Sequence, residues 1–331
     1  MLKNYHKFVL FTCAFAFIVL GLGAYTRLSD SGLGCPDWPG CYGFLTVPKT
    51  ETEIALAESI FPASEVHQGK AWKEMIHRYF AGTLGVLILF IALISIRQRQ
   101  KRLVPVKLPL LILLLVIFQA ALGMWTVTMN LQPIVVMGHL LGGFTIMSLL
   151  FLLYIRLTSE RIPGGDSGAR PYYQFAVIAL IFVISQIALG GWLAANYAAS
   201  HCADFPLCGA ETFERFSLAS VFQLPNGHAT YEFGVLSAES RMSIHLLHRI
   251  WAIVTSIVVF WAGYKVLSHC YSITIKRAVW QVFIVLTCQV MLGVSLILFG
   301  IPLNVALIHN MTAILLLLSC IRLAYLIRSK C

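Results

Sequence analysis

Four histidines carry the first chemical signal in this chain. His77 and His139 stand 62 residues apart and His248 and His309 stand 61 apart, so one spacing occurs twice. Arg78 and Arg249 follow the first member of each pair, and Gln119 and Gln289 precede the second member by 20 residues. Gly123 and Gly293 follow those glutamines by four. Two cysteine pairs repeat as well, Cys35 with Cys41 and Cys202 with Cys208, each six residues apart. All offsets between the two sets lie between 167 and 171, the mark of an internal duplication. A single His in an apolar helix commonly serves as an interhelical hydrogen-bond partner, and that structural role is the competing reading here. Four at duplicated positions read better as two pairs of facing imidazoles, the donor set for the axial positions of two hemes. Zinc would need three or four converging ligands, and the sequence offers no compact cluster of that kind.

The halves differ at one chemically important position. Glu74 stands three residues before His77, whereas His245 stands three before His248. On a helix that spacing puts both side chains on one face. A carboxylate there either does polar or acid–base chemistry beside one site or merely balances Lys73 and Arg78. Arg78 and Arg249 are candidates for pairing with heme propionates. Gly123, Gly142, Gly143 and Gly293 are candidates for close approach of a flat macrocycle, although small residues also serve helix packing in any membrane bundle. His6, His67, His201, His228 and His269 fall in loops or termini and receive no role.

The elements that position these residues follow from composition. Of 331 residues, 59% are hydrophobic and 11% charged, and the mean hydropathy is +0.81. A soluble globule carries about 25% charged residues, so the solvent for this surface is lipid. Stretches poor in charge mark eight spans: Phe8–Thr26, Met75–Ile96, two within 108–155, Pro171–Asn196, Met242–Tyr264, and two within 278–321. The paired spans fold back at Asn130–Pro133 and at Gly300–Pro302. The first span reads as a retained helix, since no small-residue cleavage site follows it. Of the 24 Lys and Arg, 16 fall in the N-terminus, the segments around 97–107, 156–170 and 265–277, and the C-terminus, with only Glu160 and Asp166 as acids. That set is expected to be cytoplasmic, with both termini. The net charge of +10 is therefore an insertion signal and does not indicate nucleic acid. The outer loops, near 28–72 and 195–242, are long for helix connections, which usually take about 2–8 residues.

The expected fold is an all-α membrane protein of eight transmembrane helices. They form two tandem four-helix bundles, residues 1–160 and 161–331, related by a pseudo-twofold axis along the membrane normal. Cys13, Cys288 and Cys320 lie in spans as small apolar residues, and Cys270 and Cys331 face the cytoplasm. The outward pairs sit where disulfides persist. Cys202–Cys208 reads as a structural staple, and Cys35–Cys41 as either a staple or a redox pair beside Glu74.

These residues also carry a resemblance. Gly23–Ala24–Tyr25–Thr26–Arg27–Leu28–Ser29–Asp30–Ser31–Gly32–Leu33, followed by Cys35–Pro36–Asp37–Trp38–Pro39, resembles the first-loop signature of the heme A synthase family. Glu74 with His77–Arg78, Gln119 with Leu122–Gly123, Thr126–Val127, and His139–Leu140–Leu141–Gly142 resemble it too, and the likeness covers nearly the whole chain. The second outer loop is longer over 209–242 than compact members require. The resemblance implies oxidation of the C8 methyl of heme O to a formyl group, giving the heme A of terminal oxidases. Two successive oxygenations would yield a gem-diol that loses water to the aldehyde. It also implies that His77 and His139 hold the substrate heme O, and that His248 and His309 hold heme b as cofactor. Glu74 would be the catalytic carboxylate, supported by Cys35 and Cys41. Candidate partners are heme O, the enzyme that makes it, an electron-transfer protein and a second copy of the chain. The expected location is a bacterial-type cell membrane. Competing readings are a diheme b-type electron-transfer cytochrome acting on quinones, a heme transporter, and a membrane thiol oxidoreductase.

Overall fold

The computed structural model describes residues 4–99, 105–158, 162–209 and 212–328. Glu160 and Cys331, which enter the readings above, lie outside the described residues. The described chain is all-α, with an isolated bridge between Cys41 and Phe44 and no strand. Eight helices are long and apolar enough to cross a membrane. They are α1 (Tyr5–Leu28), α3 (Gln68–Arg97), α4 (Lys107–Thr128), α5 (Pro133–Leu157), α6 (Tyr173–Ala195), α9 (Ala238–His269), α10 (Ile273–Leu298) and α11 (Leu303–Arg328). Three shorter helices decorate the long loops: α2 (Glu51–Ile60), α7 (Thr212–Arg215) and α8 (Leu218–Val221). The molecule is an integral membrane protein.

The charge-free stretches understate several helices, among them the two that carry the first histidine of each pair. α3 begins at Gln68 and α9 at Ala238, seven and four residues before the expected spans. Lys70, Lys73 and Glu74 continue the first turns of α3, because freedom from charge marks what lipid tolerates and not where backbone hydrogen bonding stops. His77 therefore has more than two turns of helix before it.

Four span ends show the duplication in their backbone. α1, α4, α6 and α10 each close with an N–H reaching five residues back: Ser31 to Thr26, Leu131 to Thr126, Ala198 to Leu193, and Ile301 to Leu296. Each closure passes through the left-handed region, at Asp30, Asn130, Tyr197 and Gly300, as in the Schellman ending of a helix. Pro133 and Pro302 then follow, Pro133 opening α5 at its first position.

The chain divides into two compact units, residues 1–150 with 224–235, and residues 151–223 with 236–331. In the first unit α1 packs on α3, and α3 on α4. Tyr5 ties the two ends together there, its hydroxyl 2.7 Å from Ser95 Oγ. In the second unit α6 packs on α9 and α11, and α10 on α9 and α11. Trp251 of α9 stacks on Phe182 of α6 at 5.3 Å and donates its indole N–H to Ser185 Oγ at 2.7 Å. This packing holds α3, α9 and α11, three of the histidine-bearing helices, against their neighbours.

Candidate functional site

His77 on α3 and His139 on α5 face each other in the first unit, ring centroids 6.4 Å apart and planes at 88°. Two imidazoles sharing one metal through bonds of roughly 2 Å would place their centroids about 6 Å apart, so the pair is spaced for axial ligation of one iron. Neither ring has room to spare on its helix-facing side. A Cβ on Gly23 would lie 2.8 Å from Cε1 of His77, and one on Gly123 would lie 3.2 Å from Cε1 of His139. Glycine at these positions is what lets each imidazole lie flush against a neighbouring backbone. Gln119 sits beside the second ring, its Nε2 3.0 Å from Nδ1 of His139, and donates to the His139 carbonyl.

The second unit carries His248 on α9 and His309 on α11, and each ring again lies against a glycine of a neighbouring helix. Gly190 and Gly293 face them, with a Cβ at 3.1 and 3.2 Å from the respective Cε1 atoms. Gln186 Nε2 lies 3.1 Å from Nδ1 and 3.3 Å from Nε2 of His248, and Gln289 Nε2 lies 3.3 Å from Nε2 of His309. Several polar atoms in both units are buried without a hydrogen-bond partner: Nδ1 of His77 and of His309, and Oε1 of Gln186 and of Gln289. Unsatisfied buried nitrogens on facing imidazoles fit a bound metal group. Among the described residues no set of three or more His, Cys, Asp or Glu converges. Donors in pairs suit a heme, which brings its own equatorial nitrogens.

Glu74 is built into a clasp. It is 5% exposed, its Oε1 accepts from Arg78 Nη2 at 2.5 Å, and its Oε2 accepts the Cys35 backbone N–H at 2.9 Å. Arg78 Nη1 in turn donates to the carbonyls of Asp37 at 2.9 Å and Gly40 at 2.6 Å. The loop bearing Cys35 is thus folded down onto α3, and the Asp37 carboxylate tightens it by accepting from Tyr42 and Gly43 N–H at 2.6 and 2.9 Å. Of the two charges offered as its balance, Arg78 is the one that Glu74 meets, and the folded loop covers the pair.

The second unit keeps the arginine and loses the carboxylate. Arg249 donates to the carbonyls of Cys202, Asp204 and Pro206. His245, where Glu74 would stand, is buried with Nδ1 unpartnered. Both arginines expected to meet propionates thus direct these donors to the loop carbonyls, and Arg249 Nε is buried without a partner. Both disulfides, Cys35–Cys41 and Cys202–Cys208, are formed. Their surroundings differ. Cys35 and Cys41 are both 0% exposed, in a cluster with Tyr42, Val47 and Met75, whereas Cys208 is half-buried and lines a cavity of about 310 Å³ with His201, Arg215 and Glu239.

Sequence reading missed Gln186 and Gly190 altogether and saw Gly23 only as part of a signature. A signal was present: Gly190 follows Gly23 by 167 residues, the offset of the cysteines. It is weak because the residue one turn before each does not repeat, Val19 in one half and Gln186 in the other.

The chain is similar along nearly its whole length to known proteins. The family described as cytochrome oxidase assembly protein (COX15-CtaA) matches residues 6–321. The protein named heme A synthase from Shewanella oneidensis is 45% identical over 320 residues, covering 96% of this chain and 95% of that protein. Those from Chelativorans sp. and Agrobacterium fabrum are each 26% identical, over 91% and 96% of this chain and 84% and 87% of their own lengths. With eight apolar spans, two His pairs and a match along nearly its whole length, the chain belongs to the COX15-CtaA family of cytochrome oxidase assembly proteins.

Proposed function

We propose that this chain acts as a heme A synthase, oxidising the C8 methyl of heme O to a formyl group to give heme A. The observation that carries the reading is the difference between two otherwise matching sites, a buried carboxylate one turn before His77 and an imidazole one turn before His248. A protein with two equivalent electron-transfer hemes has no use for that difference. An enzyme that modifies one heme and keeps the other does.

In this reading His77 and His139 hold heme O in the N-terminal bundle, residues 1–160. His248 and His309 hold heme b in the C-terminal bundle, residues 161–331. An unactivated methyl needs oxidising power that no side chain has, and that is what bound heme supplies. The chain's own contribution is placement and charge. Glu74 keeps a negative charge on the His77 face of α3, where it stabilises positive charge or takes a proton at the substrate periphery. Cys35 and Cys41 support it through the loop, the disulfide fixing the backbone whose N–H holds Oε2. Arg78 and Arg249 pin the two loops and offer any remaining donors to propionates. Both termini face the cytoplasm of a bacterial-type cell, and both cysteine loops face outward. The enzyme that makes heme O, an electron-transfer protein and a second copy of the chain are the proposed partners.

The test is expression in cells supplied with heme O, followed by pigment extraction and mass spectrometry. Heme A is the expected product. Two equivalents of heme b per chain with no heme A would overturn the assignment in favour of a diheme electron-transfer cytochrome.

A further inference from the structure

The four histidines meet their neighbours through one pattern. Each ring lies against a Gly of an adjacent helix, and the residue one turn before that Gly shares its helix face. In three cases it is a glutamine: Gln119 before Gly123, Gln186 before Gly190, and Gln289 before Gly293. Before Gly23 it is Val19, buried at 6% exposure. The Val19 carbonyl lies beside the His77 ring, as the Gln119 and Gln289 carbonyls lie beside His139 and His309, and no side chain reaches Nδ1 of His77.

A metal-bound His normally gives its other ring N–H to an acceptor, which fixes the tautomer and the ring plane and raises the basicity of the ligand. The glutamines can do this. Oε1 of Gln186 and of Gln289 is buried and unpartnered, and a half-turn of the amide exchanges oxygen and nitrogen, bringing an acceptor to the ring nitrogen. The other ring nitrogen is then free for iron. The valine side chain adds no donor or acceptor to that carbonyl.

Resting on the two-site reading above, we infer that Val19 makes the N-terminal pair an exchange site. His77, which α1 holds with no polar side chain, is the ligand that lets go when heme arrives or departs. Gln186 and Gln289 hold both ligands of the C-terminal pair and make it retentive. An enzyme that takes one heme as substrate and another as cofactor needs this division, since the first must leave after each turnover and the second must stay. Val19 and the glutamines act through the histidines and are positioning residues.

The test uses the full-length protein, purified in detergent, loaded with hemin and mixed with excess apomyoglobin. Heme transfer is expected in two phases, fast from the N-terminal pair and slow from the C-terminal pair. Val19→Gln should slow the fast phase by roughly 10–100-fold, the usual weight of an outer partner of a metal-bound His. Val19→Leu, larger but apolar, should leave it unchanged. An unchanged fast phase in a folded Val19→Gln protein overturns the inference. Should that variant fail to insert, the reciprocal Gln186→Val decides: it should speed the slow phase by a similar factor, and an unchanged slow phase overturns the inference equally. A wild-type protein that binds a single hemin and releases it in one phase overturns the two-site reading itself, an outcome distinct from the others.

Discussion

Glu74→Gln removes one negative charge from a buried clasp and leaves the shape almost unchanged. The carboxylate has two bonds to lose, one to Arg78 at 2.5 Å and one from the Cys35 N–H at 2.9 Å. A carboxamide has one acceptor oxygen, so its NH2 must face either a guanidinium or an N–H. Losing a charge-assisted hydrogen bond costs about 1.5–3 kcal/mol, and breaking a buried ion pair outright about 3–5 kcal/mol. Arg78 keeps its carbonyl partners in the loop, so the cost falls at the lower end, ~2–3 kcal/mol. That corresponds to a roughly 30- to 150-fold rise in the open fraction of the Cys35 loop. Cys35 and Cys41 are fully buried, so the rate at which a membrane-impermeant phosphine reduces their disulfide reports that opening. The variant should insert, retain heme b, and accumulate heme O or a hydroxylated intermediate, read by mass spectrometry of extracted pigment. Arg78→Lys separates chemistry from folding. A lysine cannot bridge the loop carbonyls and the carboxylate together, so the loop loosens comparably while Glu74 stays. It should make at least several-fold more heme A than Glu74→Gln. Heme A at wild-type levels from Glu74→Gln, or equal failure of both variants, would refute a chemical role for the carboxylate.

Further outcomes are expected. His248→Ala or His309→Ala should strip the tightly bound heme b, while His77→Ala or His139→Ala should keep it and block turnover. Equal heme loss from both pairs, measured as pyridine hemochrome, would contradict the assignment. Reporter fusions at Glu53 and Glu232 should score as extracytoplasmic, and one at Arg102, outside the described residues, as cytoplasmic; the opposite pattern would overturn the topology. On the side assigned to the cytoplasm, burial pushes the Asp166 carboxyl up, but N–H donors from Ser272, Ala169, Tyr271 and Gly168 outweigh this and hold it below the usual carboxylate range. A depressed folded value means that the stabilisation is present above the ordinary carboxyl pKa of about 3.9 and is lost as pH falls through the folded value. Asp166→Asn should therefore lower the Tm at pH 7, with the gap to wild type closing in that acid range. A gap independent of pH would show that charge is not involved.

Eight spans, their expected sidedness and the duplication can be read from residue order alone. Lipid demands about 20 apolar residues per helix whatever the neighbours are, and an offset of 167 to 171 residues is a property of the chain alone. The same residue order shows that two His pairs and one unmatched carboxylate must be explained. What those residues touch came from the packing of the helices. Glu74 sits between Lys73 and Arg78, and the sequence leaves open whether it does chemistry or balances charge; it is buried because a loop almost 40 residues upstream closes over it through the Cys35 N–H. Gln186 lies 62 residues before His248, and no local pattern ties them until α6 packs on α9. Spacing along one helix fixes which side chains share a face, because the backbone hydrogen bonds set the period. Contacts between helices depend on how segments distant in the chain pack, which spacing along the chain does not encode. That is why the histidine pairs were legible, and why the valine beside one ring and the glutamines beside the other three acquired meaning only once the helices had met.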